Sequence, residues 1–338
     1  DLVSSRGLGD VYKRQIDADT GSDDAVALLM AYRNLAKENI LGVTLVSGNV
    51  PLDQAVLNTI YVNELCEVDI PIFKGADKPL NREYIEVFDS ETATNIALSY
   101  TNESTSAQHV HGIDGLGDIG LSPKNKEVES KTASEFYKEV LKTETNLEIV
   151  TLGPLTNIAN MIEENKESLD SIKHIYIMGG SSNALGNVTK FAEYNFWVDP
   201  EAADIVLNAG IPTTMIGWDP SLYDAMIDIN KINEIESINT KFSKFTNDIQ
   251  VVLREMMKEL LNQDAYDLPD PLAMSVFLDE TIISQSAEAN VRVDVRDGMT
   301  RGGCVIDYMN IEPETHKTRI VQRCDPDKFF ELLKSSLI

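Results

Sequence analysis

The chain has 338 residues, 43% of them hydrophobic, with only 12 prolines and 19 glycines, which is ample for one large core. Its formal charge of −26 argues against a nucleic-acid backbone as partner, because phosphate binding needs clustered Lys and Arg, and it leaves small neutral ligands open. Three irregularly spaced cysteines signal neither a disulfide framework nor a zinc cluster; with no ~20-residue apolar run and no leader pattern, a cytoplasmic protein without membrane contact is expected.

Residues 1–15, "DLVSSRGLGDVYKRQ", read as a non-native or disordered N-terminal segment, because Lys13, Arg14 and Gln15 stand where a buried parallel strand should be apolar. From residue 16 to 338 the chain reads as one domain. A first short strand ends near Asp17 and Asp19, followed by a helix over 24–38, a strand over 40–48 and a helix over 51–66 with Pro51 in its first turn. Residues 76–130 read as loops with one helix. Strands over 147–153, 174–180 and 211–218 then alternate with helices over 154–165 and 200–210, and residues 231–264 are helical. A hairpin over 290–309 and a helix over 325–336, capped by Asp325 with Pro326 behind it, close the chain. The alternation predicts an α/β fold: a single domain with a mainly parallel, Rossmann-like central sheet flanked by helices, plus a C-terminal hairpin.

Parallel strands share one carboxyl edge, where ligands of open α/β sheets sit. Asp17, Asp19, Asn49, Leu152 and Met178 fall at strand ends on that edge, and Asp23, Asp24 and Asp270 fall at helix starts, where the helix dipole favours negative charge. Asp17, Asp19, Asp23 and Asp24 occupy eight positions. Two ionised carboxylates ~4 Å apart repel by about 4 kcal/mol at an effective dielectric near 20, and a cation relieves that repulsion. An all-oxygen donor set favours a hard ion, calcium before magnesium. An EF-hand is excluded because its twelfth position holds Leu28 rather than Glu.

The segments "DADTGSDDAVAL", "GVTLVSGNV", "HGIDGLG", "LGPLTNIA", "IMGGSSNALGNVTKFAEYNFWVDPEAA" and "PDPLAMSVFLD" together resemble the inosine–uridine preferring nucleoside hydrolase family, from Ile16 to about Asp327. The resemblance implies a calcium-dependent enzyme that cleaves the N-glycosidic bond of ribonucleosides to free base and ribose. It implies that Asp19, Asp24, the carbonyl of Leu152 and Asp270 hold calcium, with Asp19 also the general base toward a calcium-activated water. Asp23 and Asn195 would grip the ribose 2′ and 3′ hydroxyls, with Asp270 sharing the 3′ side. Asn187 and Glu193 would take the 5′ hydroxyl, Asn49 would support water and ribose, and Met178 would pack under the sugar. The family also implies a homodimer or homotetramer.

The pattern departs at one place. Many relatives carry His immediately before the Asp that corresponds to Asp270, as proton donor to the leaving base, and here the residue is Pro269. Leaving-group activation then falls to His111 or His109, or to an aromatic ring stacking on the base, with Trp218, Tyr223 and Tyr266 available. Base preference stays open. The alternative reading is a catalytically silent nucleoside- or ribose-binding protein on the same scaffold.

Overall fold

The computed structural model describes residues 12–81, 106–312 and 315–338. In chain order the elements are β1 (Lys13–Ala18), α1 (Ser22–Asn34), β2 (Ile40–Leu45), α2 (Leu52–Cys66), β3 (Ile72–Lys74), α3 (Gln108–His111), α4 (Ala133–Thr143), β4 (Leu147–Thr151), α5 (Thr156–Glu164) and β5 (Ile172–Met178). There follow α6 (Tyr194–Val198), α7 (Pro200–Leu207), β6 (Thr213–Ile216), α8 (Trp218–Asp224), β7 (Met226–Asp228), α9 (Ile229–Ile238), α10 (Lys241–Asp248), α11 (Val251–Leu261) and β8 (Ala265–Asp267). The chain closes with α12 (Pro269–Leu278), β9 (Ile283–Ala289), β10 (Val291–Val293), β11 (Cys304–Ile306), β12 (Thr318–Cys324) and α13 (Pro326–Ser336).

Among the described residues eight strands form one sheet in the order β3-β2-β1-β4-β5-β6-β12-β9. Every pairing is parallel except β12 with β9. The expected mainly parallel sheet is therefore what forms, and the expected hairpin is the antiparallel pair β10–β11. The chain lays β2 and β3 on one side of β1, then returns to lay β4 and β5 on the other. The order thus reverses between β1 and β4, and a crevice opens there at the carboxyl ends. Two apolar clusters cover the faces of the sheet. One gathers α1, α2, α12 and α13; the other gathers α4, α5 and α7.

The first strand begins earlier than its polar sequence suggests. Lys13, Arg14 and Gln15 are part of β1, paired in parallel with β4 on one side, with Arg14 and Gln15 joining β2 on the other. Arg14 and the Gln15 amide nitrogen each reach a partner, which lowers the cost of burying them. Arg14 meets Glu148 at 2.9 Å and lies over the Phe277 ring at 4.6 Å. Gln15 donates to Thr44 Oγ1 at 3.2 Å. The first strand therefore begins three residues before the expected start of the domain at residue 16, and residues 1–11 lie outside the described residues. Of the loops expected over 76–130, residues 82–105 also lie outside them, and α3 supplies a helix. Asp325 caps α13 as expected, accepting from the N–H groups of Asp327 and Lys328.

Removing one partner of a buried ion pair leaves an uncompensated charge. Arg14→Ala is expected to lower unfolding stability by ~3 kcal/mol in urea titration. A loss within about 0.5 kcal/mol, typical of surface substitutions, would show that Arg14 is not integrated into the sheet.

Candidate active site

The crevice is lined by acids. Asp19 leaves the end of β1, and its Oδ2 accepts the backbone N–H of Asn49 at 2.6 Å, from the segment after β2. Asp24 sits in the first turn of α1, where its Oδ1 accepts the N–H of Asp19 at 3.2 Å and its Oδ2 that of Gly21 at 2.9 Å. The Asn49 side-chain amide donates to Asp24 Oδ2 at 3.0 Å and lies 3.4 Å from Asp19 Oδ1. Asn49 therefore clamps both carboxylates. The approach depends on two glycines: a Cβ on Gly48 or Gly153 would collide with the Asp19 carboxylate. Asp17 faces the other way, accepting from Thr44 at 2.5 Å and Asn157 at 2.8 Å, which ties β1 to β2 and α5. Its backbone carbonyl accepts the N–H of Leu152 at 2.8 Å and so orients the end of β4.

Asp23, Asp24 and Asp270 each bring a carboxylate oxygen to within 4.8 Å of the others, and all three are buried. Asp270 comes from the first turn of α12, which Pro269 opens, and α12 packs along α1. Asp23 Oδ1 and Asp270 Oδ2 have no hydrogen-bond partner among the described residues. Burial, then the charge of Asp24, raises both Asp19 and Asp23 well above the usual carboxylate range. Asp270 rises likewise through burial and then through Asp23, Asp24 and Asp19. At such separations two ionised carboxylates repel by roughly 3 kcal/mol at an effective dielectric near 20. Orphaned buried oxygens, an all-oxygen donor set and mutual repulsion fit a hard divalent cation.

Beside the acids lies a set of hydrogen-bonding groups. Asn195 Nδ2 donates to the carbonyl of Leu152 at 2.8 Å and approaches the Met178 carbonyl at 3.2 Å. With its amide nitrogen so committed, Asn195 Oδ1 remains as an acceptor that no described residue bonds. Glu193 is less available than expected. Its Oε1 accepts from Asn195 N–H at 2.8 Å, and its Oε2 accepts from Gly180 N–H at 2.8 Å and Phe196 N–H at 3.2 Å, which makes it the N-cap of α6. Burial pushes Glu193 up to about 7. Asn187 sits half-buried between β5 and α6 with its Oδ1 lacking a partner. Asp219 holds that segment, accepting from the Ser182 N–H at 2.8 Å and from its hydroxyl.

The histidine and aromatic candidates separate clearly. His111 ends α3 inside the crevice, its Nδ1 2.9 Å from Ser22 Oγ and 3.6 Å from Asp23 Oδ1. Burial, then the charge of His109, pushes it down to about 3, so the ring is neutral and the Asp23 contact is not an ion pair. Gln250 holds Ser22 from both sides, donating to its carbonyl at 3.1 Å and accepting its hydroxyl proton at 3.1 Å. Tyr266 is fully buried with its hydroxyl on Asn247, and Tyr223 is 60% exposed beside Arg323, so neither ring faces the crevice. Trp218, half-buried at the start of α8, donates its indole N–H to Asp267 at 3.0 Å.

Asp267, Ser22 and Gln250 escaped the sequence reading. Gln250 lies 228 positions from Ser22, and no spacing rule joins them. Asp267 did leave a trace, as a second acid three positions before Asp270 in "YDLPDP", but a lone Asp at a strand end is usually a turn residue.

Comparison with known proteins gives the family of the chain. The family model for inosine-uridine preferring nucleoside hydrolases matches residues 15–331. Uridine nucleosidase 1 of Arabidopsis thaliana is 35% identical over 247 residues, covering 72% of this chain and 66% of its own. The inosine-uridine preferring nucleoside hydrolase of Crithidia fasciculata is 28% identical over 326 residues, covering 95% and 96%. The solved structure of a purine-preferring ribonucleoside hydrolase from Gardnerella vaginalis superposes with a TM-score of 0.80 at 28% identity, covering 96% of this chain and 98% of that one. On the match over residues 15–331 and the fold it shares with that structure, the chain belongs to the inosine-uridine preferring nucleoside hydrolase family.

Proposed function

We propose that this chain hydrolyses the N-glycosidic bond of ribonucleosides, releasing free base and ribose, with calcium as its resident ion. The observation that carries the reading is the convergence of Asp23, Asp24 and Asp270, two of them with orphaned oxygens, at the crevice between β1 and β4. Asp19, Asp24, Asp270 and the carbonyl of Leu152 would hold the ion. When bound, it supplies positive charge that acidifies and positions a water.

The remaining steps belong to side chains. Asp19 takes the proton of the attacking water, and the Asn49 N–H on its Oδ2 favours the ionised form that a base requires. Asp23, Asp270 and Asn195 Oδ1 are acceptors for ribose hydroxyls, which are donors, so a deoxyribose would leave buried acceptors unpaired. Asn187 takes the 5′ hydroxyl. Glu193 shapes that end of the site by capping α6, and Met178 packs beneath the sugar. As the C–N bond breaks the ribose acquires positive charge, and the ring of carboxylates stabilises it. His111, neutral and held by Ser22, lines the crevice beside Asp23. A homodimer or homotetramer acting in the cytoplasm completes the proposal, and light scattering checks the assembly.

Inosine, uridine, adenosine, guanosine and cytidine, assayed by chromatography of released base, test the activity. At least one is expected to turn over, with loss on chelation and a drop of 10²–10⁴-fold in kcat for Asp19→Ala. No release from any of the five, with calcium bound and the fold intact, would refute the reading.

Protons and the ion compete for the same cluster. Burial raises Asp19, Asp23 and Asp270 well above the ordinary carboxylate range. A raised native pKa means the folded state binds protons more tightly than the unfolded one. That stabilisation is fully present below about pH 4, the unfolded carboxylate range, and is lost as pH rises through the raised native values of these groups. Chelated protein should therefore lose stability over that window, while calcium restores more of it at pH 8 than at pH 5. At a hundredfold excess over Kd the gain is ~2.7 kcal/mol, or roughly 5 °C in Tm. Equal calcium-induced shifts at both pH values would contradict the competition.

A further inference from the structure

Pro269 leaves a gap in the chemistry: a departing base anion needs a proton, and proline has none to give. We propose that Asp267 is the acid that protonates the leaving base, an assignment that rests on the hydrolase reading above. Asp267 is the last residue of β8 and stands three positions before Asp270. Successive side chains of a strand point to opposite faces. Tyr266 points into the core, bonded to Asn247 of α10, so Asp267 points the other way, toward α8.

Two donors from α8 fix its carboxyl group on one oxygen. Trp218 Nε1–H and Ser221 Oγ–H both donate to Oδ2, each at 3.0 Å. Trp218 is itself anchored to the ligand-binding edge, its backbone N–H on the carbonyl of Gly180 at 3.0 Å, just past β5. Asp267 also lies close enough to Asp23 for its charge to act on that residue. Asp267 thus joins the indole at the start of α8 to the segment that leads into Asp270, and the proposal seats the base beside this pair.

The hydrogen bonding says which oxygen carries a proton. With Oδ2 occupied as acceptor twice over, a proton on this carboxyl resides on Oδ1, which no described side chain bonds. Burial, opposed by Ser221 and Trp218, holds Asp267 above the ordinary carboxylate range. A buried carboxylic acid kept neutral is a competent donor. The alternatives are weaker: neutral His111 has its Nδ1 engaged with Ser22, and the Tyr266 and Tyr223 rings face elsewhere.

In the step the C1′–N bond breaks and its electron pair passes into the base, whose ring nitrogen takes the proton from Asp267 Oδ1. The water oxygen bonds to C1′ and loses its proton to Asp19. Asp267 ends one proton short and Asp19 one proton rich, and exchange with solvent restores both.

Asp267→Asn keeps the acceptor for Trp218 and Ser221 but removes the acid. Its kcat on the best nucleoside of the panel should fall at least ~100-fold, with KM little changed. Turnover of p-nitrophenyl β-D-ribofuranoside, whose phenolate departs without a proton, should stay within about threefold of the parent. Equal losses on both substrates would mean that Asp267 only holds Trp218, and full activity on the nucleoside would mean that it does nothing; either overturns the proposal. Should Asp267→Asn not fold, Asp267→Glu gives the same comparison, since it retains an acid displaced by one methylene. There a nucleoside loss of at least ~10-fold with the riboside spared supports the assignment, and parallel losses or none refute it. A parent protein that turns over neither substrate overturns the hydrolase reading and this one together, whereas an active parent with parallel losses overturns this one alone.

Discussion

The structure is organised around a repulsion. Asp19, Asp23, Asp24 and Asp270 are driven together in a region that water scarcely reaches, and burial raises the cost of every charge there. No packing of apolar residues would compensate such a cluster; only protons or a cation can. The fold nonetheless holds the acids firmly. Asn49 binds two of them, backbone N–H groups fix Asp24, and α12 carries Asp270 against α1. A site built to resist its own electrostatics is prepared for a positive ligand before one arrives.

Strand polarity makes that convergence possible. Because β1 and β4 are neighbours while the chain winds away from them in opposite directions, the segments after both open into one crevice rather than crossing it. Asp19 follows β1 and Leu152 follows β4, and the carbonyl of Asp17 and the amide of Asn195 orient Leu152 from two sides. The second ring of residues serves the first. Glu193 spends both oxygens capping α6, and that cap sets Asn195 in place. Gln250 holds Ser22, and Ser22 holds His111.

Much of this was legible in the sequence, for physical reasons. Parallel strands with short β-rich runs ending at glycine declare themselves, and Asp325 before Pro326 marks the last helix because a cap needs that side chain. Four acids in eight positions announced the cluster, and "PDPLAM" supplied its distant member. Three things stayed hidden. The polar start of β1 misled because Arg14 and Gln15 are satisfied by Glu148, Phe277 and Thr44, partners far along the chain. Helix α1 is buried from Ser22 to Tyr32, so no amphipathic stripe betrays which side faces the crevice. The pairing of Trp218 with Asp267 joins α8 to β8, a contact that local propensity does not encode.

The central claim is that these acids share an ion. Diffraction from crystals grown with calcium, with anomalous scattering used to locate it, tests that most directly. The account predicts one strong peak about 2.3–2.6 Å from carboxylate oxygens of Asp24 and Asp270 and from the carbonyl oxygen of Leu152. A peak elsewhere on the molecule, or none at saturating calcium, would contradict it.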